Sequence, residues 1–294
     1  MPSYQDNIEA IAGDGPGEAR TRRRRSLPER LERLHADNTR KELVAHELRR
    51  RGFAKHADRI SECCRLVTFD LSDEVRLQSV TFCHMSLLCP SCARRRAAKL
   101  RARWESRLRW FSNQPCYHVV MTVRSQAHFL PAWNHLRQSL RRYLTQPKKF
   151  PTARRWTTGV TSYEVTHGKA GWHPHSHGLW VASLQPDVEA MRHDWRCATI
   201  DSHVFRVDRL NDAEDAAAEV FKYPLKLATL TPMDTVTVWH SLKRTRWVHS
   251  WGMVRDVPLS RPTPSGPARN DDATFSWSPD GWKHVDIDVH PHGT

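Results

Sequence analysis

YEVTHGKAGWHPHSHGLWV, residues 163–181, sets three histidines at alternate positions, 173, 175 and 177, and then runs into apolar residues. Extended in both directions, WTTGVTSYEVTHG (156–168) and GWHPHSHGLWVAS (171–183) read as two strands, and HGKAG between them is turn material. The spacing therefore predicts a hairpin. Side chains alternate across a sheet, so His175 and His177 point the same way. With the turn centred between Lys169 and Ala170, Glu164 falls opposite His175. Two imidazoles and one carboxylate then meet on one patch, a ligand set for a divalent ion with positions left open. A single histidine on a strand is more often a satisfied core residue; two at i and i+2, faced by a carboxylate, are hard to bury without a cation. His173 has the same parity but sits near the turn, where Pro174 is expected to disturb the ladder, and is assigned a neighbouring role toward a substrate phosphate. His167 is expected as an exposed turn residue. Two histidines and a carboxylate also serve non-haem iron oxygenases, so the site alone does not settle the chemistry.

Upstream, ECCRLVTFDLSDEVRLQSVTFCHMSLLCPSCARRR places Cys63, Cys64, Cys83, Cys89 and Cys92 close together. Cys89-Pro-Ser-Cys92 is a two-thiolate knuckle, and a tetrahedral zinc site is completed by Cys83 and one of Cys63 or Cys64. Buried free thiols are the plainer alternative. Cys116 and Cys197 stand apart and are read as core. A helix follows the knuckle, with Ala97, Leu100, Trp104, Leu108 and Phe111 on one face and arginines and lysine on the rest. The zinc is structural in this reading, and fixes that helix.

The 294 residues carry a net charge of +14, an excess that favours a polyanionic partner, most simply nucleic acid. The charge is clustered: eight basic residues and one acid lie in 93–110, six and none in 141–155, three more in 241–247. Such runs are usually solvated faces, yet these flank the histidine strand in sequence. Arg94, Arg95, Lys99, Arg103, Arg141 and Arg142 are the candidate DNA contacts. No apolar stretch is long enough to span a membrane, and MPSYQDNIEAIAGDG lacks the apolar core of a signal peptide, so a cytoplasmic protein without a membrane partner is expected.

Residues 211–228, NDAEDAAAEVFKYPLKLA, open on a capping box, Asn211 and Glu214, and read as an alanine-rich helix that Pro224 ends or kinks. Glu219 and Tyr223 share a face at i and i+4, with Lys226 three residues on. Taken alone, Tyr223 reads as a packed aromatic.

The expected fold is α+β: a central antiparallel sheet of about five strands, YHVVMTV (117–123) among them, with flanking helices and a small cysteine-rich zinc module. The expected boundaries are a disordered basic tail over 1–26, a helical segment over 27–60, the zinc module and basic helix over 61–110, the catalytic domain over 111–257, and a mobile tail over 258–294, rich in Pro, Ser and Asp.

Over about residues 61–255 the pieces resemble the rolling-circle replication initiators of small bacterial plasmids, members of the HUH endonuclease superfamily. FCHMSLLCPSCARRR, HVVMTV, SLRRYL, YEVTHGKAGWHPHSHGLWV and EVFKYPLK arrive in that family's order. Ser176 stands where the family has a bulky apolar residue between its ligand histidines. The resemblance implies an HUH-like fold with His175, His177 and Glu164 holding Mn²⁺ or Mg²⁺, and Tyr223 as the nucleophile. It implies Glu219 as the acid that activates water in the terminating cleavage, and Lys226 orienting the tyrosine or the phosphate. Among the cysteines it favours Cys63 over Cys64, with Zn²⁺ structural. The implied activity is site-specific nicking of single-stranded or hairpin origin DNA through a 5′-phosphotyrosine, leaving a 3′-OH primer for a host polymerase; a host helicase is a further candidate partner. Single-strand transposases and relaxases share this chemistry, and a non-catalytic zinc-dependent DNA-binding regulator is the alternative from another class.

Overall fold

The structure, a computed structural model, describes residues 26–71, 75–108, 114–202, 204–210, 220, 230–243, 245–255 and 272–285. Among them six α-helices and nine strands form a mixed α+β arrangement with two antiparallel sheets. No helix of the described residues is long and apolar enough to cross a membrane. Residues 1–25 of the expected tail over 1–26, and Asn211, Glu214, Glu219, Tyr223 and Lys226, lie outside the described residues, as do Phe111 and the side chains of Arg103 and Leu108.

The hairpin forms as its alternation requires. Strands β4 (Trp156–Gly168) and β5 (Gly171–Ala182) pair from Gly168↔Gly171 upward, turning at Lys169 and Ala170. Gly171 takes a positive φ of 97°, and a Cβ there would run into the Gln126 carbonyl, so the turn needs glycine twice over. Strand β3 (Cys116–Thr122) pairs with the other edge of β5, β6 (Phe205–Leu210) lies outside β3, and β7 (Val248–Gly252) lies outside β4. The order β6-β3-β5-β4-β7 makes the histidine strand the centre of a five-stranded sheet.

Pro174 does not break β5. On the β4 side the ladder continues through Val165↔Pro174. On the β3 side pairing stops at Thr122↔His175 and resumes as the single bridge Gln126↔Trp172. Proline has no amide hydrogen to give, and it falls in that gap.

The two faces of this sheet differ. Tyr117, Val119, Met121, Tyr163, Val165, Trp172 and Trp180 point to the back, where α4 (Phe129–Thr145) and α5 (Val188–Thr199) close the main core with Trp133, Leu136, Tyr143 and Trp195. The front carries Val160, Leu179 and Val181 at one end, covered by Trp104 of α3 (Pro90–Leu108) and by Val220, and the histidines at the other.

The second sheet, β2-β1-β8-β9, belongs to the cysteine module. Strand β1 (Leu66–Asp70) pairs with β2 (Arg76–Val80) on one side and with β8 (Asp272–Ser278) on the other; β9 (Gly281–His284) completes it. The expectation of a mobile tail from 258 is therefore corrected: 272–284 are two strands, and Phe275 and Trp282 pack on the module's core. Alternation in ATFSWS and the Pro279-Asp280-Gly281 turn carried that signal, but the Pro-rich run before them masked it. The single helical segment over 27–60 is likewise two helices, α1 (Leu27–Arg50) and α2 (Ala54–Ser61), because Gly52, with φ +82°, ends the first. Glu29 Oε2 accepts from the Ser26 amide and starts it. The module thus gathers α1, α2, β8 and β9 as well as residues 61–110. Helix α6 (Pro232–Leu242) joins the two cores, giving Val236 and Trp239 to the cysteine module and Val238 and Leu242 to the main one.

Candidate metal centres in the cysteine module and on the histidine face

Cys63 follows α2, Cys83 follows β2, and Cys89 and Cys92 bracket the start of α3. Their donor atoms all lie within 4.8 Å of one another, and all four residues are buried. Sulfur separations are 3.5 Å for Cys63–Cys89, 3.6 Å for Cys63–Cys92 and 3.5 Å for Cys83–Cys92. A tetrahedron with metal–sulfur bonds of about 2.3 Å has edges of ~3.8 Å, so this cluster could hold a metal such as zinc with little movement. The ambiguity between neighbours resolves toward Cys63. Cys64 takes a left-handed φ of 56°, and its carbonyl accepts from Asn38 Nδ2 at 3.3 Å; its sulfur lies 3.7 Å from that of Cys63 but outside the group of four.

The neighbouring sulfurs hold the Cys63 thiol far below the usual range. Contact with Cys63, reinforced by burial, pushes the Cys64, Cys83 and Cys89 thiols up. Crowded thiols cannot all ionise beside one another; a cation at their centre removes that conflict. Sequence reasoning missed Lys41. It is buried in α1, and its Nζ donates to the Cys63 carbonyl beside the cysteine cluster.

Each basic candidate has its own surroundings. Arg94 pairs with Asp37 of α1, which also accepts from Ser91 Oγ at 2.7 Å, so Arg94 fastens the cysteine helix to α1. Arg95 lies 4.3 Å over the Phe82 ring, and Lys99 is exposed. Arg141 and Arg142 belong to α4, behind the sheet, whereas α3 covers its front, so the two basic runs do not form one surface around the histidines. Cys116 is partly buried against the front cluster, but Cys197, expected in the core, is exposed on α5 beside His193, at 3.7 Å. His167 is exposed but not in the turn: it lies in β4, one residue before its end, stacked on Trp172 at 4.2 Å and bonded to Asp234 at 3.0 Å.

On the front face Glu164 pairs opposite His175, and Ser162 opposite His177. His177 Nε2 lies 3.0 Å from Glu164 Oε2, with both residues buried, at 6% and 5% exposure. The His175 and His177 rings stack with centroids 6.3 Å apart, and the His173 and His175 rings meet at 4.2 Å. His175 Nε2 faces Thr166 Oγ1 at 3.4 Å, so the three donors share a patch without closing to within 4.8 Å as the cysteines do. Their chemistry nonetheless fits a divalent cation: two imidazoles and a carboxylate gathered on one patch, with His177 and Glu164 buried and His175 half-buried. Burial pushes the His173 imidazole down, against a hydrogen bond to Val123 and the charge of Glu164. A further histidine, His118 of β3, was missed because nothing in YHVVMTV sets it apart from a strand residue; its Nε2 lies 3.3 Å from His177 Nδ1.

The segment 211–229 is described only at Val220. That residue is fully buried in the front cluster, and its carbonyl accepts from Ser162 Oγ at 2.7 Å. Of the five tyrosines, Tyr117, Tyr143 and Tyr163 are buried in the core behind the sheet. Burial pushes the last two phenols up to about 12. No protein-family model matches the chain, and neither does any curated protein or solved structure.

Proposed function

We propose that the chain is a rolling-circle replication initiator, a metal-dependent endonuclease that nicks single-stranded origin DNA through Tyr223. The observation that carries the reading is the hydrogen bond from Ser162 Oγ to the Val220 carbonyl. Ser162 is the β4 residue opposite His177. Val220 is therefore moored on the histidine face, and covalent reach keeps the Cα of Tyr223, three residues on, within about 11 Å of it. The three tyrosines buried behind the sheet are out of reach of a substrate, which supports Tyr223 by elimination, with Tyr4 the other that remains.

His175, His177 and Glu164 would hold Mn²⁺ or Mg²⁺. Bound there, the ion supplies charge neutralisation for non-bridging phosphate oxygens. The Tyr223 hydroxyl attacks the phosphorus in line. Its O–P bond forms as the bond to the 3′ oxygen breaks, leaving a 5′-phosphotyrosine and a free 3′-OH primer. Lys226 orients the tyrosine or the phosphate, and Glu219 activates water for the terminating cleavage. Zn²⁺ in Cys63, Cys83, Cys89 and Cys92 is structural and seats α3, whose exposed Lys99 and stacked Arg95 are candidate phosphate contacts beside the cysteine cluster.

The test is incubation of the full chain with a single-stranded oligonucleotide library and Mn²⁺, followed by mass spectrometry of the DNA-linked peptide. The expected adduct is on Tyr223 and vanishes in Tyr223→Phe while DNA binding persists; an undiminished adduct in that variant removes Tyr223 from the mechanism. A strand transferase acting in transposition or conjugation gives the same adduct and differs in joining it to a second DNA end. The regulator reading is favoured by one observation, that only the cysteines close into a tight donor group among the described residues; a regulator gives no adduct.

A further inference from the structure

We propose that His118 is a positioning residue for the histidine-face metal site, selecting the ring nitrogen of His177 that meets the cation; the inference rests on the metal site of the reading above. His118 stands on β3, two residues before Val120, which pairs with His177, so both imidazoles share the front face of neighbouring strands. The rings are nearly parallel, at 14°, with centroids 5.5 Å apart, and both are buried. His177 is gripped at both nitrogens: Nε2 by Glu164 Oε2 at 3.0 Å, and Nδ1 by His118 Nε2 at 3.3 Å.

Nε2 is the nitrogen that meets Glu164, the carboxylate of the proposed ligand set, so Nε2 is the ligand nitrogen. With Nε2 donating to the carboxylate, neutral His177 must accept at Nδ1, and His118 Nε2–H donates to it. With a cation on Nε2, the His177 proton must stand on Nδ1, and His118 Nε2 accepts it. The partner has to donate in one state and accept in the other. A neutral imidazole does both by exchanging tautomers, which lysine, arginine or a carboxylate cannot do. The protons balance: the Nε2 proton of His177 leaves to water, the Nε2 proton of His118 passes to Nδ1, and His118 takes one from water on its own Nδ1. Neither ring changes charge. A ligand histidine anchored through its second nitrogen in this way binds more tightly, and removal of such an anchor costs about 10–100-fold in metal affinity.

The experiment is a calorimetric titration of Mn²⁺ into the full, zinc-loaded chain, with no DNA present. His118→Leu, which can neither donate nor accept, is expected to weaken Mn²⁺ binding about 10–100-fold. His118→Gln, whose amide offers both a donor and an acceptor, is expected to restore most of it. Equal affinity in wild type and His118→Leu overturns the inference while leaving the metal site standing. Equal loss in both variants also overturns it, because shape alone would then be what the position requires. Absence of saturable Mn²⁺ binding to the wild type, with the cysteine site already filled, overturns the metal site itself and this inference with it.

Discussion

Cys63 and Cys64 are adjacent, identical in chemistry and both buried, yet only the first points into the group of four. Cys64 takes a left-handed φ, its carbonyl accepts from Asn38, and its sulfur stays outside the group of four. Cys63→Ser is therefore expected to lose the bound metal on purification and Cys64→Ser to keep one equivalent, as read by elemental analysis. Full metal content in Cys63→Ser would reverse the assignment. Spacing could propose either cysteine, since two neighbours differ by one residue in every interval. The pairing of Glu164 with His175 was different: a period of two and a turn centre determine a register outright. His118 and Lys41 lay beyond that kind of inference, because each acquires its meaning from a residue on another element.

At the scale of elements, β5 is crowded on its back face by one of its own side chains. Gly178 lies on its back face, where an added Cβ would collide with the Trp180 indole. That indole donates to Thr161 Oγ1 at 2.9 Å and packs on Trp156 and Trp251 at centroid separations of 5.1 and 5.6 Å. Gly178→Ala is expected to cost about 1–3 kcal/mol by overpacking, visible as a lower denaturant midpoint at unchanged slope. A variant as stable as wild type would mean that the indole can move aside. The same strand explains why an antiparallel sheet was legible in advance. A hairpin with apolar residues on both sides of its polar patch has to be covered on both faces. Strands β8 and β9 were not legible in this way: both are short, and β8 finds its partner β1 only across some 200 residues of chain, with β9 added on the far side of β8.

At the scale of the whole molecule, two cores meet along α6, and their resistance to metal loss should differ. The cysteine module is held by residues from 26–92 and 272–285 around four sulfurs, whereas the main core is closed by aromatic side chains that need no ion. Removal of the metal by a chelator, or its displacement by protons as the pH falls and the thiolates are titrated, is expected to open amides in β1, β2, β8 and the start of α3. Those of β3, β4 and β5 should stay protected in hydrogen exchange. Simultaneous loss of protection in both sheets would show one cooperative unit instead. The sequence by itself determined what local periodicity and covalent spacing control: the hairpin and its register, the polar patch on one face, the cysteine knuckle and the helix after it. Tertiary structure alone decided which cysteine completes the four, which arginine is tied to Asp37, that the two basic runs lie on opposite sides of the sheet, and that β8 and β9 join the cysteine module. The physical reason is the same throughout. Alternation and turn geometry act between near neighbours and repeat with a known period, while burial, ion pairing and sheet edges are satisfied by whichever distant segment the compact chain brings there.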